Sequence, residues 1–157
     1  MIPPAFDYHA PHTVGEAISL LGSLGPDARL LAGGHSLLPM MKLRFAQPSH
    51  LIDLNRITAL RGIREEGGTL VIGAMTTESE LIGSELLQTK APLLPETARL
   101  IADPQVRNRG TIGGDIATAT PAMTTWRSLS DSTRRWCCRA RAGSAASWPG
   151  SSFWAPT

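Results

Sequence analysis

The sequence predicts an α+β protein of two small α/β subdomains, residues 1–54 and 55–122, followed by a tail of different character at 123–157. Helix-like and strand-like segments alternate through the first stretch, the pattern of an α/β unit. The second stretch reads as a hairpin followed by helices. After residue 122 the composition changes abruptly.

In the first stretch, Thr13-Val14-Gly15-Glu16 is a capping-box pattern, a Thr with a Glu three residues on. Val14, Ala17, Ile18, Leu20, Leu21 and Leu24 follow at helical spacing, and Gly25-Pro26-Asp27 stops the run, so 13–24 is a helix. Ala28-Arg29-Leu30-Leu31-Ala32 reads as a short strand ending at Gly33-Gly34. Leu37 to Arg44 reads as a short helix with Ser36 placed to cap it, and His50-Leu51-Ile52-Asp53-Leu54 as a second strand.

In the second stretch, Gly62–Glu65 and Thr69–Gly73 flank Glu66-Gly67-Gly68 as a hairpin. Thr77-Glu78-Ser79-Glu80 is another capping box, opening a helix toward Leu87. Ala91 to Ile101 is a further helix, and the turn-rich Asp103–Gly110 leads into Thr111-Ile112-Gly113-Gly114-Asp115. The subdomain boundary is expected near Leu54–Thr58.

Of the 157 residues, 42% are hydrophobic and 18% charged, which excludes wholesale disorder. No apolar run approaches the ~20 residues of a membrane-spanning helix. Met1-Ile2-Pro3-Pro4 has neither the basic nor the apolar part of a signal peptide, so a cytoplasmic location is expected. All four Trp and both Cys lie in the tail, which has seven Ser, five Arg and one Asp but no Ile, Val or Lys. The tail therefore carries +4 and the first 122 residues −2 of the net +2, and the excess base is no signal for nucleic acid.

The two glycine pairs carry the chemistry. Ala32-Gly33-Gly34-His35-Ser36 follows a strand, and Thr111-Ile112-Gly113-Gly114-Asp115 follows a polar loop about 80 residues later. Paired glycines let a backbone approach a ligand and turn its N–H groups toward one point. Ser36 and Thr111 add hydroxyls, and the helix from Leu37 would set its N-terminus beside the first pair. Two such loops can clamp a pyrophosphate. Ordinary turns also contain paired glycines, and either pair alone fits both readings. Neither segment is a G-x-G-x-x-G or a P-loop.

Taken in order, Phe6-Asp7-Tyr8-His9-Ala10-Pro11, Leu31–Lys42, Leu51-Ile52-Asp53-Leu54, Ile72–Thr77 and Ile101–Asp115 resemble the FAD-binding medium subunits of molybdenum hydroxylases, most of all those of aerobic carbon monoxide dehydrogenases. The resemblance runs through residues 1–122. It implies an FAD-binding fold of the p-cresol methylhydroxylase type, with Ala32, Gly33, Gly34, His35 and Ser36 on one side of the FAD phosphates and Thr111, Ile112, Gly113, Gly114 and Asp115 on the other. It implies a large molybdenum subunit and a small iron–sulfur subunit as partners, and electrons passing from the clusters through FAD to an acceptor. Molybdenum cofactor and iron–sulfur clusters would sit on those partners. Members of the family are nearly twice this length and carry a third subdomain beside the flavin ring.

The resemblance stops at Met123, and a frame change accounts for the break. Read one base earlier, Met123–Arg127 becomes a residue of the Asn/Asp/His/Tyr set, an Asp, a second residue of that set, an aliphatic residue and Ala. Arg135–Arg139 and Phe153–Thr157 likewise regain stretches in the family's order. The tail is thus expected to be a frameshifted product, and the family's carboxylate near Thr124, which helps hold FAD, to be lost. Other readings are a medium chain of a xanthine, aldehyde or N-heterocycle dehydrogenase, or a non-functional truncated fragment.

The remaining candidates have simpler readings. His9 and His12 form H-x-x-H beside Pro11 with no third ligand in view, a surface pattern rather than zinc. Cys137-Cys138 is not C-x-x-C. Met40-Met41 reads as packing, Arg107 and Arg109 as solvent-exposed, and Glu78–Glu80 as a helix cap. No acid–base pair or nucleophile is persuasive, and none is needed where a flavin carries electrons.

Overall fold

The computed structural model describes residues 2–118; the tail expected from residue 123 lies outside the described residues. The first half is a βαβ arrangement. Strands β1 (Asp7–His9), β2 (Ala28–Leu31) and β3 (His50–Asp53) form a parallel sheet in the order β1-β3-β2. Helices α1 (Val14–Leu24) and α2 (Leu37–Lys42) supply the connections that parallel strands require. Central β3 sets the register, with His50 opposite Asp7 and Ala28, and Ile52 opposite His9 and Leu30. Its Leu51 and Ile52 are both buried, as expected of a parallel strand covered on two faces.

Helix α1 starts where its capping box predicts. The Thr13 hydroxyl accepts from the Glu16 N–H at 3.2 Å, and Glu16 accepts in return from the Thr13 N–H at 3.3 Å. Its inner face sets Ala17, with Val14, Leu20 and Leu24, against Ala28, Ile52 and Ile57. Ile18 and Leu21, counted with the apolar positions in the sequence, face outward. Strand β1 escaped the sequence reading, because three residues, two of them exposed, carry no alternation.

The second half opens with the hairpin of β4 (Ile63–Glu66) and β5 (Thr69–Ile72), closed by Gly67-Gly68 at positive φ as its tight turn demands. Three departures from the sequence reading follow. The helix expected from Thr77 toward Leu87 is two helices, α3 (Glu78–Gly83) and α4 (Glu85–Lys90). Ser84 stays extended between them and its hydroxyl caps the Leu87 N–H, the competition that makes Ser a breaker and a cap. Helix α5 (Leu93–Arg99) starts after Pro92 rather than at Ala91, because a residue before proline is driven out of the helical region. The stretch read as turns holds α6 (Pro104–Arg107), which Asp103 caps through the Val106 N–H at 3.0 Å with Pro104 in the first turn.

The last described element, α7 (Ile112–Thr118), occupies most of the segment read as a loop. Leu81, Leu87, Ala91, Leu94, Ala98 and Ile112 form the second core, with Ile63, Leu70 and Ile72 of the hairpin packed on it. Among the described residues no helix is long and apolar enough to cross a membrane.

Ile52 is fully buried in the central strand and shared by the helix and both flanking strands. Ile52→Ala is expected to lower unfolding stability by about 2–5 kcal/mol, the range for a large-to-small core change. A urea midpoint unchanged from the parent would show that the parallel sheet is not the seat of the first core.

Candidate functional site

The two glycine segments meet. Gly33 leaves the carboxyl end of β2, and its backbone lies against the peptide of Arg109-Gly110. A Cβ at Gly33 would overlap the Arg109 carbonyl oxygen and stand 2.8 Å from its carbon and 3.2 Å from the Gly110 Cα. Beside this contact is a cavity of about 280 Å³, lined by Ala32, Gly33, Gly34, His35 and Ser36 on one side and by Thr111, Gly113, Gly114 and Asp115 on the other. Of the ten residues singled out in the sequence, only Ile112 is not in the lining; its side chain is buried in the second core. Leu30, Leu37, Leu54, Ala74, Met75 and Gly110 also line it; Leu37, Leu54, Ala74, Met75 and Gly110 stand in the stretches that carry the family resemblance, though none of these six was singled out as a site residue.

The two pairs of glycines do different work. No backbone carbonyl among the described residues accepts from the N–H groups of Gly33, Gly34, His35 or Ser36, so four successive donors lie beside the cavity. In the second segment the N–H groups are taken. Ile112 donates to Thr76 at 3.1 Å, Gly113 to Ala74 at 2.9 Å and Asp115 to Thr111 at 3.0 Å. Gly114 donates to the Thr111 hydroxyl at 3.2 Å, which makes Thr111 the cap of α7. Glycine is needed at 113 for space: a Cβ there would stand 2.6 Å from the Ala74 oxygen. The second segment is thus laced to residues 74–78, with Glu78 N–H also donating to Gly110 at 3.1 Å. It offers the cavity a close wall and the Thr111 hydroxyl, which already accepts from Gly114, rather than a row of amides.

Ser36 does not cap α2; its backbone is helical and its hydroxyl makes no cap bond, which leaves the exposed hydroxyl to a ligand. The His35 ring turns back on its own loop, with Nδ1 3.2 Å from the Gly33 oxygen. Arg107 is not a free surface cation: its Nη1 donates to the Ile101 carbonyl at 2.8 Å and finishes the end of α5. Met41 is fully buried, as packing requires, while Met40 is half-exposed. His9 pairs with His50 at 3.4 Å, and no group of metal-holding side chains occurs among the described residues.

The reading of Glu78–Glu80 as a helix cap holds, with Thr77 and Glu80 closing a capping box, but burial sets Glu78 apart within it. Thr77 caps α3 as expected, but Glu78 is fully buried, and while it is ionised neither carboxylate oxygen meets a donor among the described residues. Burial, and after it the neighbouring Asp115 carboxyl, push Glu78 up to about 8. Two ionised carboxylates have no proton to share; once protonated, Glu78 can donate to Asp115. At neutral pH the acid beneath the cavity is therefore held neutral. In sequence it is one more acid in the first turn of a capped helix; what sets it apart is its approach to the distant Gly110 backbone, which no local signal reports.

A parallel unit joined to a hairpin-and-helix unit, with a cavity between two glycine segments, makes this an α/β domain whose candidate binding site lies where the two segments meet. The chain belongs to the family described as the FAD binding domain in molybdopterin dehydrogenase, which it matches over residues 4–137. It is 74% identical over 121 residues to the carbon monoxide dehydrogenase medium chain of Hydrogenophaga pseudoflava, covering 77% of this chain and 42% of that one. The medium chain from Afipia carboxidovorans is 59% identical over 121 residues, again 77% of this chain and 42% of the relative. A solved carbon monoxide dehydrogenase of Hydrogenophaga pseudoflava, lacking the Mo-pyranopterin moiety of its cofactor, superposes with a TM-score of 0.74 at 76% identity, over 74% of this chain and 41% of that one. The chain thus spans about four-tenths of the length of the curated relatives it matches.

Two outcomes follow from the geometry. Gly33→Ala sets a methyl into the Arg109 carbonyl and must part the two segments. It is expected to cost about 1–3 kcal/mol in urea unfolding, the range for overpacking, and a loss under 0.5 kcal/mol would refute the tight contact. Glu78 gives a pH signature. In the unfolded chain it ionises at about 4.3, and in the fold at about 8. Between these values the folded protein holds a proton that the unfolded chain has released, so stability falls as pH rises through the window. Glu78→Gln should remove that slope, matching the parent near pH 5 and exceeding it near pH 8. A parent slope that survives the substitution would assign the titration to another group.

Proposed function

We propose that this chain is the FAD-holding part of the medium subunit of a molybdenum hydroxylase of the carbon monoxide dehydrogenase type. Ala32–Ser36 and Thr111–Asp115 would take the FAD pyrophosphate between them. The observation that carries the reading is the convergence of both segments on one cavity.

The residues present fit the group. Four backbone N–H groups without a partner among the described residues, and the hydroxyls of Ser36 and Thr111, match the acceptor oxygens of a diphosphate. The absence of a side chain at Gly33 keeps the two walls close, and a protonated Glu78 limits the negative charge beneath them. At about 280 Å³ the cavity is at the small end for a ligand site, room for the diphosphate and its surroundings rather than for a whole dinucleotide. The flavin, when bound, supplies the electron transfer. The chain's own residues bind and orient the phosphates, and none of them moves a proton in the reaction. By resemblance, the molybdenum centre would lie on a large partner subunit and the iron–sulfur clusters on a small one. Electrons would leave the clusters through FAD for an acceptor. Identities of 74% and 59% to two carbon monoxide dehydrogenase medium chains favour that enzyme over xanthine, aldehyde or N-heterocycle dehydrogenases.

The tail belongs to the same proposal as a frameshifted product beginning near Met123. Pairwise alignments of 121 residues, about the length of the segment before it, support the break, while the family match continues to residue 137. Sequencing across codons 120–125 decides between a shifted and an intact frame.

FAD titrated into the 157-residue chain is expected to bind weakly, and ADP about as well as FAD, since both offer the same pyrophosphate. Restoring the frame near Ala122 should yield a chain that copurifies with yellow flavin. A restored chain without flavin would defeat the cofactor assignment. Tight stoichiometric FAD on the unrepaired chain would instead overturn the reading of the tail.

A further inference from the structure

Asn55 reaches the first glycine segment without lining the cavity. It lies in the single turn Leu54–Arg56 after β3, half-buried, 23 residues from the loop it touches. Its Nδ2 donates to the Ala32 carbonyl at 3.0 Å and to Asp53 Oδ1 at 2.6 Å. Its backbone N–H donates to the same Asp53 oxygen at 2.9 Å, and its Oδ1 accepts from Arg61 Nη2 at 3.2 Å. The Tyr8 hydroxyl donates to the other oxygen of Asp53.

This set of partners fixes the amide. With the group turned over, its oxygen would face two acceptors, Asp53 and the Ala32 carbonyl, and its NH₂ would face a guanidinium. Asp53 is held ready as an acceptor. Burial alone would raise its carboxyl, but the hydrogen bonds from Tyr8 and Asn55, with the Arg109 charge, outweigh burial and keep it below its ordinary range.

The grip on Ala32 bears on its neighbour. Across a trans peptide the C=O and the following N–H point in opposite directions. Holding the Ala32 carbonyl toward Asn55 therefore aims the Gly33 N–H, first of the four unpartnered donors, away from Asn55. The Ala32-Gly33 peptide is gripped on one side by the Asn55 amide, while the Arg109-Gly110 backbone packs against Gly33.

We infer that Asn55 is the positioning residue of the phosphate loop: oriented by Asp53 and Arg61, it fixes the Ala32-Gly33 peptide so that the Gly33–Ser36 donors are set before an anion arrives. The inference rests on the pyrophosphate reading of that loop, and its test separates the two. In the full chain, backbone order parameters of Gly33–Ser36 are measured by NMR without ligand, and inorganic pyrophosphate and ADP are then titrated in. Asn55→Ala removes the donor. Asn55→Asp keeps the shape and the acceptor for Arg61 but sets an acid against Asp53 and the Ala32 carbonyl, and it stands in should the alanine variant not fold.

The order parameters are expected to fall from about 0.85 to below about 0.6 in both variants, with those of α5 unchanged. Affinity for pyrophosphate and for ADP should drop together by about tenfold, the scale of one lost hydrogen bond. Parent-like loop order and affinity in the aspartate variant would overturn the inference, as would loosening shared equally by α5. A parent chain that binds neither probe would sink the pyrophosphate reading, while the order parameters would still decide whether Asn55 sets the loop.

Discussion

The backbone of Gly33 packs against the Arg109-Gly110 peptide with no space for a β-carbon, and the site depends on that contact. On one side stands the parallel sheet with its core of Ala17, Ala28, Ile52 and Ile57. On the other stand the helices packed around Leu81, Leu94 and Ile112. Each half reaches the junction by a short backbone segment, and the cavity lies between those segments. A β-carbon at Gly33 would meet the Arg109 carbonyl, so a side chain there must part the two segments.

The symmetry suggested by two Gly-Gly pairs is one of sequence, not of mechanism. The amides of the first pair have no partner among the described residues and lie beside the cavity. The second pair spends its amides on Ala74 and Thr111 and serves to bring a helix close to the 74–78 segment. One wall donates; the other gives the cavity its rigid shape. The buried Glu78 beneath the second wall adds an electrostatic condition, since an ionised carboxylate there would oppose both Asp115 and any phosphate. Desolvation removes that conflict by keeping the proton on.

Homology and geometry address different levels of the same conclusion. The family match assigns the domain, and the chain is most like carbon monoxide dehydrogenase medium chains among the relatives compared above. Neither says how the loop is held. That detail comes from the Tyr8–Asp53–Asn55–Arg61 network, which ties three separate parts of the chain to a single carbonyl.

The sequence by itself determined what is written in neighbouring residues. The capping boxes at Thr13 and Thr77 and the Gly67-Gly68 hairpin are local agreements between side chain and backbone, legible without the fold. The order of motifs identified the family. What only the tertiary structure decided concerns residues whose partners are distant. Strand β1 exists because β3 offers it a parallel edge. Gly113 and Gly114 sit in a helix, against their propensity, because Ala74 leaves no space for a larger residue at 113 and Thr111 caps the turn. Glu78 looks like any acid opening a helix until Gly110 and Asp115 close over it. Propensity and capping act within a few residues, whereas burial, close approach and a held peptide plane need atoms that only folding brings together.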